Sequence, residues 1–304
     1  MKILLLAVSL VSLVLPLAGN AALHVVVIEG LAGEQRYAKQ FAEQIDAVLD
    51  AARSVTDESR IRLFPADRAT RDDVLDYFRE LESSVSASDQ VALYLIGHGS
   101  FDEHEYKFNI PGPDLSGADI TSMLDRLPSN AQLLVNTSSA SGAIAELAKS
   151  DKRMLILATR SGAERHATRF GSYFAAALND ATADLDKNRI ITAAEAFSFA
   201  ERQVGDFFER NGQLATEHAR LVGDRAERFG LARLGEQRET SDDRVLGELI
   251  AERDGLNAAI EALRLEQQNL PPGEYRSQLL QNMLELAQTE EAIEERRREL
   301  GLEQ

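Results

Sequence analysis

The sequence predicts an α/β fold with a mostly parallel sheet and helices on both faces, followed by a C-terminal antiparallel helical hairpin or coiled coil. Nearly continuous apolar segments are typical of strands buried on both faces, and here they alternate with segments of helical periodicity. This alternation indicates a parallel sheet covered by helices. After residue 241, two stripes of leucine, with one isoleucine at Ile293, have seven-residue spacing and predict the hairpin.

The predicted elements follow one another between residues 24 and 210. The strands are short, rich in Val, Ile and Leu, and end at Gly, Pro or small polar residues. The helices have apolar residues at helical spacing, and Thr70 and Ser116 are N-cap residues at the start of two of them. We predict strands at 24–29, 61–64, 90–96, 132–135 and 153–158, and helices at 35–52, 72–81, 117–127, 169–179 and 193–210, with a further helix starting near 143.

The first 22 residues predict a secretory signal peptide, and therefore an exported protein that is periplasmic or secreted. Lys2 precedes an unbroken apolar stretch from Ile3 to Leu17, which small residues follow. This stretch is shorter than the roughly 18 residues that indicate a bilayer-spanning helix. We expect the mature chain to begin near Ala22 or Leu23 and to have no stable membrane span. An N-terminal anchor that is not cleaved is the alternative.

The composition narrows the classes of partner and of chemistry. The chain has 50 acidic and 33 basic residues, a net charge of −17. Such a surface repels phosphate backbones, so we expect protein or peptide partners and no nucleic acid. The chain has no cysteine. Disulfides, cysteine-ligated metals and a cysteine nucleophile are therefore excluded.

From about Ser241 the composition shifts to Glu, Arg, Leu, Gln and Ala. The heptad spacing occurs on both sides of Pro271-Pro272-Gly273, so it predicts two antiparallel helices. The complementary heptad positions are half polar, so the seam needs cover from the main domain or from a second chain. Self-association through 241–300 would supply that cover. We therefore divide the chain into a signal peptide (1–22), an α/β domain (23–235) and a helical hairpin (241–304).

Two motifs of small residues follow consecutive long strands. Gly97-His98-Gly99 follows the strand at 90–96, and Ser138-Ser139-Ala140-Ser141-Gly142 follows the strand at 132–135. In open parallel sheets, active sites form beyond the carboxyl ends of the strands. In this order the motifs resemble those of the caspase–legumain group of cysteine peptidases. In that group, one strand ends in His-Gly. The next long strand ends in the consecutive pattern of a small residue, Cys, any residue, Ser and Gly.

The resemblance covers roughly residues 24–210 and implies a caspase-like fold with the nucleophilic cysteine replaced by serine. It implies that His98 and Gly99 are the histidine and glycine of the site and that Ser139 occupies the cysteine position. It also implies a substrate pocket at Thr159-Arg160-Ser161. Arg160 in such a pocket would favour an acidic ligand group, although a surface salt bridge is an alternative role for it.

The replacement of cysteine changes the chemistry. A hydroxyl is a much weaker acid than a thiol, so a serine nucleophile needs an adjacent base and usually an orienting carboxylate. His98 can be the base, but the sequence shows no obvious carboxylate partner. The candidates lie in the loop that follows it, at Asp102, Glu103 and Glu105.

The preferred hypothesis is therefore a catalytically degenerate domain, a pseudoenzyme that acts as a binding or scaffold module. One alternative is a serine-type hydrolase or peptidase with a His98–Ser139 dyad, in which the backbone N–H groups of Gly99 and Ser139 are oxyanion donors. Another is purely structural: His98 and the serines would then satisfy turn backbone or cap a helix.

A second motif lies at residues 184–195, DLDKNRIITAAE. It matches the ligand positions of an EF-hand calcium loop at Asp184, Asp186, Asn188, the Ile190 carbonyl, Thr192 and Glu195. Arg189 stands where the motif requires glycine, and Lys187 adds positive charge. Thr192 and Glu195 also form a capping box, which explains them without metal. No cofactor is required, calcium is the candidate, and a calcium-dependent interaction module is the third hypothesis.

Overall fold

The computed structural model describes residues 21–234, 243–265 and 270–300. Nearly all of the predicted signal peptide (1–22) lies outside the described residues, as do 235–242 at the predicted domain boundary and 301–304. The strands are β1 (Leu23–Glu29), β2 (Ile61–Phe64), β3 (Gln90–Ile96), β4 (Gly99–Phe101), β5 (Tyr106–Phe108), β6 (Leu115–Ser116), β7 (Ala131–Asn136), β8 (Arg153–Leu157), β9 (Ile190–Thr192), β10 (Arg220–Val222) and β11 (Gly230–Arg233).

The helices cover both faces of the main sheet and then form the C-terminal hairpin. They are α1 (Gln35–Val55), α2 (Arg71–Ser84), α3 (Gly117–Arg126), α4 (Ala145–Ala148), α5 (Phe170–Ala177), α6 (Ala193–Arg210), α7 (Arg244–Leu265) and α8 (Pro272–Glu299). Within the described ranges, no helix is both long and apolar enough to cross a bilayer.

The main sheet has six strands in the order β10-β8-β7-β3-β1-β2. All neighbouring strands are parallel except β10, which pairs antiparallel with β8 at one edge. One core packs this sheet against α1, α5 and α6, and a second core packs it against α2, α3 and α4. The predicted fold class, a mostly parallel sheet with helices on both faces, is confirmed.

Strand β3 shows why the central strands are almost continuously apolar. Successive side chains of a strand point to opposite faces. In β3, Tyr94 and Ile96 join the first core, whereas Leu93 and Leu95 join the second. Burial of such a side chain contributes about 1.5–3 kcal/mol to folding. A polar residue on either face would lose that contribution, so both faces select apolar residues.

Capping side chains fix the starts of three helices. Thr70 accepts a hydrogen bond from the Asp73 N–H at the start of α2. Ser116 with Asp119 and Thr192 with Glu195 form capping boxes at the starts of α3 and α6. The helix predicted near 143 is instead a 3₁₀ turn followed by the short α4. The sequence pattern also missed β10, the β9–β11 pair and the small sheet β4-β5-β6.

Helices α7 and α8 form the predicted antiparallel hairpin. Asp243, just before α7, binds Arg296 near the end of α8, with a distance of 2.7 Å between Arg296 Nη2 and Asp243 Oδ2. The apolar cluster between the helices consists of Leu246, Ile250 and Ile293. The hairpin also contacts the α/β domain through ion pairs, which are Asp254 with Arg189 at 3.3 Å and Arg264 with Asp186 at 4.0 Å.

Truncation of the chain after residue 240 should leave a cooperatively folding α/β domain. Among the residues that the structure describes, the two cores of the main sheet contain none from the hairpin, and partly exposed ion pairs contribute only about 0–1 kcal/mol each. We expect the melting temperature to fall by no more than about 4 °C. Light scattering after size exclusion should show a lower association state for the truncated chain than for the full chain. If the hairpin binds a partner instead, the truncated chain should lose that binding. A truncated chain without a cooperative transition would show that the hairpin is part of the core.

Candidate functional site

The two motifs lie at the same edge of the sheet because their strands are neighbours. Strands β3 and β7 pair in parallel, with Leu95 opposite Asn136. His98 and Ser139 follow the ends of these strands, and both line one cavity of about 10 Å³. A cavity of this volume holds about one water molecule. Its other lining residues come from α1, from the loop ends and from the segment before α5, and they are Tyr37, Gln40, Phe41, Gln44, Gly97, Thr137, Ala167 and Thr168.

His98 is half-buried and held by the segment that contains α1. Its Nε2 atom lies 3.2 Å from the carbonyl oxygen of Ala32. Its ring is edge-on to Tyr37 and Phe41, with centroids 4.6 and 5.2 Å away. A carbonyl oxygen can only accept, so Nε2 carries the proton. In the tautomer that makes this hydrogen bond, the lone pair lies at Nδ1.

Of the three serines in the run, two are fully occupied by structural hydrogen bonds. Ser138 Oγ lies 2.7 Å from the Tyr106 hydroxyl and donates to Asn136 Oδ1 at 2.9 Å. Ser141 Oγ accepts from the Thr159 N–H at 3.1 Å. Ser139 is also buried, but within the described part of the chain its hydroxyl forms no hydrogen bond. Ser139 is thus the serine whose hydroxyl remains available at the cavity.

The glycines of both motifs allow backbones to approach closely. A Cβ atom at Gly99 would overlap Ser138 Oγ and the Ser139 carbonyl, and one at Gly142 would overlap the backbone of Arg160 and Ser161. No other residue type fits at such positions. The motif glycines are therefore explained by packing, whether or not the site performs chemistry.

The backbone N–H of Gly99 lies outside the β4–β5 ladder. The Asn109 N–H donates to the His98 carbonyl, and the Asp102 N–H donates to the Glu105 carbonyl. Bonded and non-bonded pairs alternate in an antiparallel ladder. Gly99 and Phe108 thus form a non-bonded pair, and the Gly99 N–H is left for another acceptor.

The three acidic residues in the loop after His98 lie at the tip of the β4–β5 hairpin, and the described residues that line the cavity include no acidic side chain. Asp102 accepts hydrogen bonds from the Glu105 N–H and from Lys107 Nζ. These contacts hold the pKa of Asp102 well below its usual range. The structure does not bring Asp102, Glu103 or Glu105 to the ring of His98.

The pocket residues implied by the resemblance do not line this cavity. Thr159 is fully buried, and its Oγ1 accepts from the Gly142 N–H at 2.8 Å. Arg160 and Ser161 lie on the surface, and Arg160 is 3.8 Å from Glu164. The three residues therefore support or flank the loop after β8.

Sequence reasoning missed the two glutamines that line the cavity. Gln40 and Gln44 each donate to Ser172 Oγ at 3.1 Å and thereby tie α1 to α5. They lie four residues apart on the face of α1 that also carries Tyr37 and Phe41. Two polar residues on an otherwise apolar helical face were the signal that could have located this wall.

The calcium-like loop brings its acidic ligands together. Oxygen atoms of Asp184, Asp186 and Glu195 all lie within 4.8 Å of one another. Asp184 accepts hydrogen bonds from the backbone N–H groups of Asn188 and Arg189, at 3.1 and 2.8 Å. Arg189 has φ 64°, which is the left-handed conformation that glycine normally supplies at this position.

The capping-box interpretation of the same loop also holds. Glu195 Oε2 accepts from the Thr192 N–H, while Oε1 accepts from the Leu185 N–H, both at 2.9 Å. Burial raises the pKa of Asp184, and the nearby carboxylates of Glu195 and Asp186 raise it further against the effect of its two backbone donors. A cation placed among these oxygens would relieve that repulsion.

Comparison with known proteins gave similarity at the level of structure alone. No protein-family model matches the chain, and no curated protein matches it. The chain is similar to the crystal structure of protein GSU0716 from Geobacter sulfurreducens, with 13% identity, a TM-score of 0.46, and coverage of 67% of this chain and 94% of that one. It is also similar to caspase-1 from Spodoptera frugiperda, with 10% identity, a TM-score of 0.44, and coverage of 72% of this chain and 92% of that one.

Proposed function

We propose that this chain is an exported domain of the caspase–legumain type that no longer hydrolyses peptides and instead binds a protein or peptide. The observation that carries the proposal is the small cavity at His98 and Ser139. It has room for about one water molecule and no acidic side chain among its described lining residues. A serine nucleophile needs a base that a third group orients. Here His98 is held by the Ala32 carbonyl instead.

The placement of the motifs supports the caspase–legumain part of the proposal. His98 and Ser139 follow adjacent parallel strands and meet at one cavity. The glycines at 99 and 142 lie at backbone contacts that admit no side chain. These contacts give a physical reason for the His-Gly and Ser-Gly pairs even where no reaction takes place.

A basic loop beside the cavity supports binding of an acidic segment. Its exposed side chains, at Arg160, Arg165, His166 and Arg169, contrast with the net charge of −17 of the whole chain. The acidic residue of this loop, Glu164, has a side chain only 14% exposed, and it is 2.6 Å from His218 Nδ1. A positive surface on an acidic protein attracts acidic partners and steers their approach.

A fluorophosphonate probe tests the loss of hydrolysis. We expect the wild type to be labelled no more than Ser139→Ala, because no acidic side chain among the described cavity residues orients His98 as a base, and the cavity has room for only about one water molecule. Labelling is measured by intact mass after incubation at neutral pH. Labelling of the wild type that Ser139→Ala abolishes would contradict the proposal and establish the serine-hydrolase alternative.

Two observations favour that alternative enough to retain it as a second candidate. The Ser139 hydroxyl has no hydrogen-bond partner in the described chain, and the Gly99 N–H lies outside its ladder. In a His98–Ser139 dyad, the lone pair at Nδ1 of His98 would take the hydroxyl proton as Oγ attacks a carbonyl carbon. The Gly99 N–H would then donate to the resulting oxyanion.

Introduced thiols test whether His98 and Ser139 act on each other. We expect Ser139→Cys to react with iodoacetamide at least about tenfold faster than Ser138→Cys or Ser141→Cys, since only the side chain at 139 is free at the cavity. His98→Ala in the Ser139→Cys background should reduce the rate, because a neighbouring histidine stabilises a thiolate. Equal rates at all three positions would refute the pairing.

We also propose that the loop at 184–195 binds calcium, which would make partner binding calcium-dependent. Support comes from the grouped oxygens of Asp184, Asp186 and Glu195 and from the left-handed Arg189. The Asn188 side chain and the Ile190 carbonyl would complete the ligand set of such a loop. Because Arg189 replaces glycine, the affinity should be that of extracellular modules, with Kd on the order of 10⁻⁴–10⁻³ M.

Calcium at about 5 mM should raise the melting temperature of the wild type by roughly 2–6 °C. Asp184→Asn should abolish this shift, since it removes a ligand charge. Asp67→Asn is the matched control: it removes an exposed carboxylate elsewhere and should keep the shift. The capping box alone would account for the loop if calcium left the wild-type melting temperature unchanged.

A further inference from the structure

We propose that the precursor is cleaved between Ala21 and Ala22 and that the new α-ammonium group of Ala22 binds the carboxylate of Asp89. This inference goes beyond the proposed function and rests only on the export that the proposed function includes. A signal peptidase would hydrolyse the bond. Water oxygen adds to the Ala21 carbonyl carbon, the C–N bond breaks, and the products are an Ala21 carboxylate and the Ala22 ammonium group.

The structure holds the chain from Ala22 onward. The Ala22 N–H donates to Asp89 Oδ1 at 2.9 Å, and the Ala22 carbonyl accepts from the Gln90 N–H at 2.7 Å. β1 begins at the next residue, Leu23, in register with Gln90. Ala21 is exposed. The fold therefore engages the chain on one side of the Ala21–Ala22 bond and leaves the other side accessible.

The residues before this bond fit cleavage at the same place. Signal peptidases require small residues at the first and third positions before the bond. Cleavage after Ala21 places Ala21 and Gly19 at these positions, whereas cleavage after Ala22 would place Asn20 at the third. The structure and the cleavage pattern thus independently select Ala22 as the first residue.

Asp89 is suited to hold a positive charge. Its Oδ2 accepts from the Ser86 N–H at 2.7 Å, which fixes the carboxylate while Oδ1 faces Ala22. Partial burial opposes its ionisation, but the Ala22 and Ser86 donors outweigh burial and lower its pKa. An ammonium group in place of the amide would make this hydrogen bond charge-assisted, and such bonds are roughly twice as strong as neutral ones.

The first measurement is the N-terminus of the exported protein, by intact mass and N-terminal sequencing after expression of the full precursor. We expect a chain that begins at Ala22. Any other first residue, or retention of residues 1–21, would overturn the inference. Neither result would bear on the reactivity of Ser139, so failure here is separate from failure of the degenerate-peptidase proposal.

The second measurement tests the ion pair in the mature chain. The chain that begins at Ala22 is compared with one extended by Asn20-Ala21. The extension turns the ammonium group of Ala22 into an amide and moves the terminal charge to Asn20. The extension should lower the melting temperature by about 2–4 °C in the wild type and leave it unchanged in Asp89→Asn. Asp67→Asn, a control without this contact, should behave as the wild type. An equal effect of the extension in wild type and Asp89→Asn would overturn the ion pair.

A third measurement does not depend on the folding of a variant. The α-amine of the mature wild type is titrated by NMR, and its pKa should lie above the ordinary value of about 7.7–8.0. The carboxylate of Asp89 would raise the pKa of the α-amine. The other titratable side chains nearby are His24, which interacts with Asp89, and Arg60, which interacts with His24. An ordinary pKa would show that the ammonium group does not bind Asp89.

Discussion

The close backbone contact between three loops is the constraint on which the candidate site depends. The loop after β3 meets the loop after β7 at Gly99, and the loop after β7 meets the loop after β8 at Gly142. Because no side chain fits at either point, the three strand ends are held against one another as a unit. Parallel pairing of β3, β7 and β8 brings these loops to one edge, and the glycines set how closely they approach.

This contact also decides what each serine can do. Ser138 lies against Gly99 and bonds to Tyr106 and Asn136, while Ser141 bonds to Thr159 across the second contact. Both hydroxyls are thus needed to satisfy buried polar atoms that would otherwise cost about 1–3 kcal/mol each. Ser139 lies between them, and its hydroxyl satisfies no buried polar atom of the described chain. A side chain that makes no structural hydrogen bond can keep, lose or change a chemical role without destabilising the fold.

The sequence predicted the long elements well because their signals are local. Because both faces of β3 are buried, its sequence is almost continuously apolar, and capping residues mark the starts of α2, α3 and α6. The short strands β4, β5 and β9 were missed because three residues carry too little periodicity. The partner of His98 was missed for a different reason. Every residue type has a backbone carbonyl like that of Ala32, so no sequence pattern predicts which carbonyl will bind the histidine.

The acidic composition is partly a structural feature. Composition alone indicated a surface that repels nucleic acid, but several carboxylates accept hydrogen bonds from backbone N–H groups at turns and helix starts. Glu217 accepts from the Arg169 and Phe170 N–H groups at the start of α5, and Asp89 and Asp184 do the same at turns. A carboxylate at such a place satisfies donors that helix or strand geometry leaves open. Part of the net charge therefore belongs to carboxylates that stabilise the fold, and the exposed arginines beside the cavity contrast with the acidic composition of the chain.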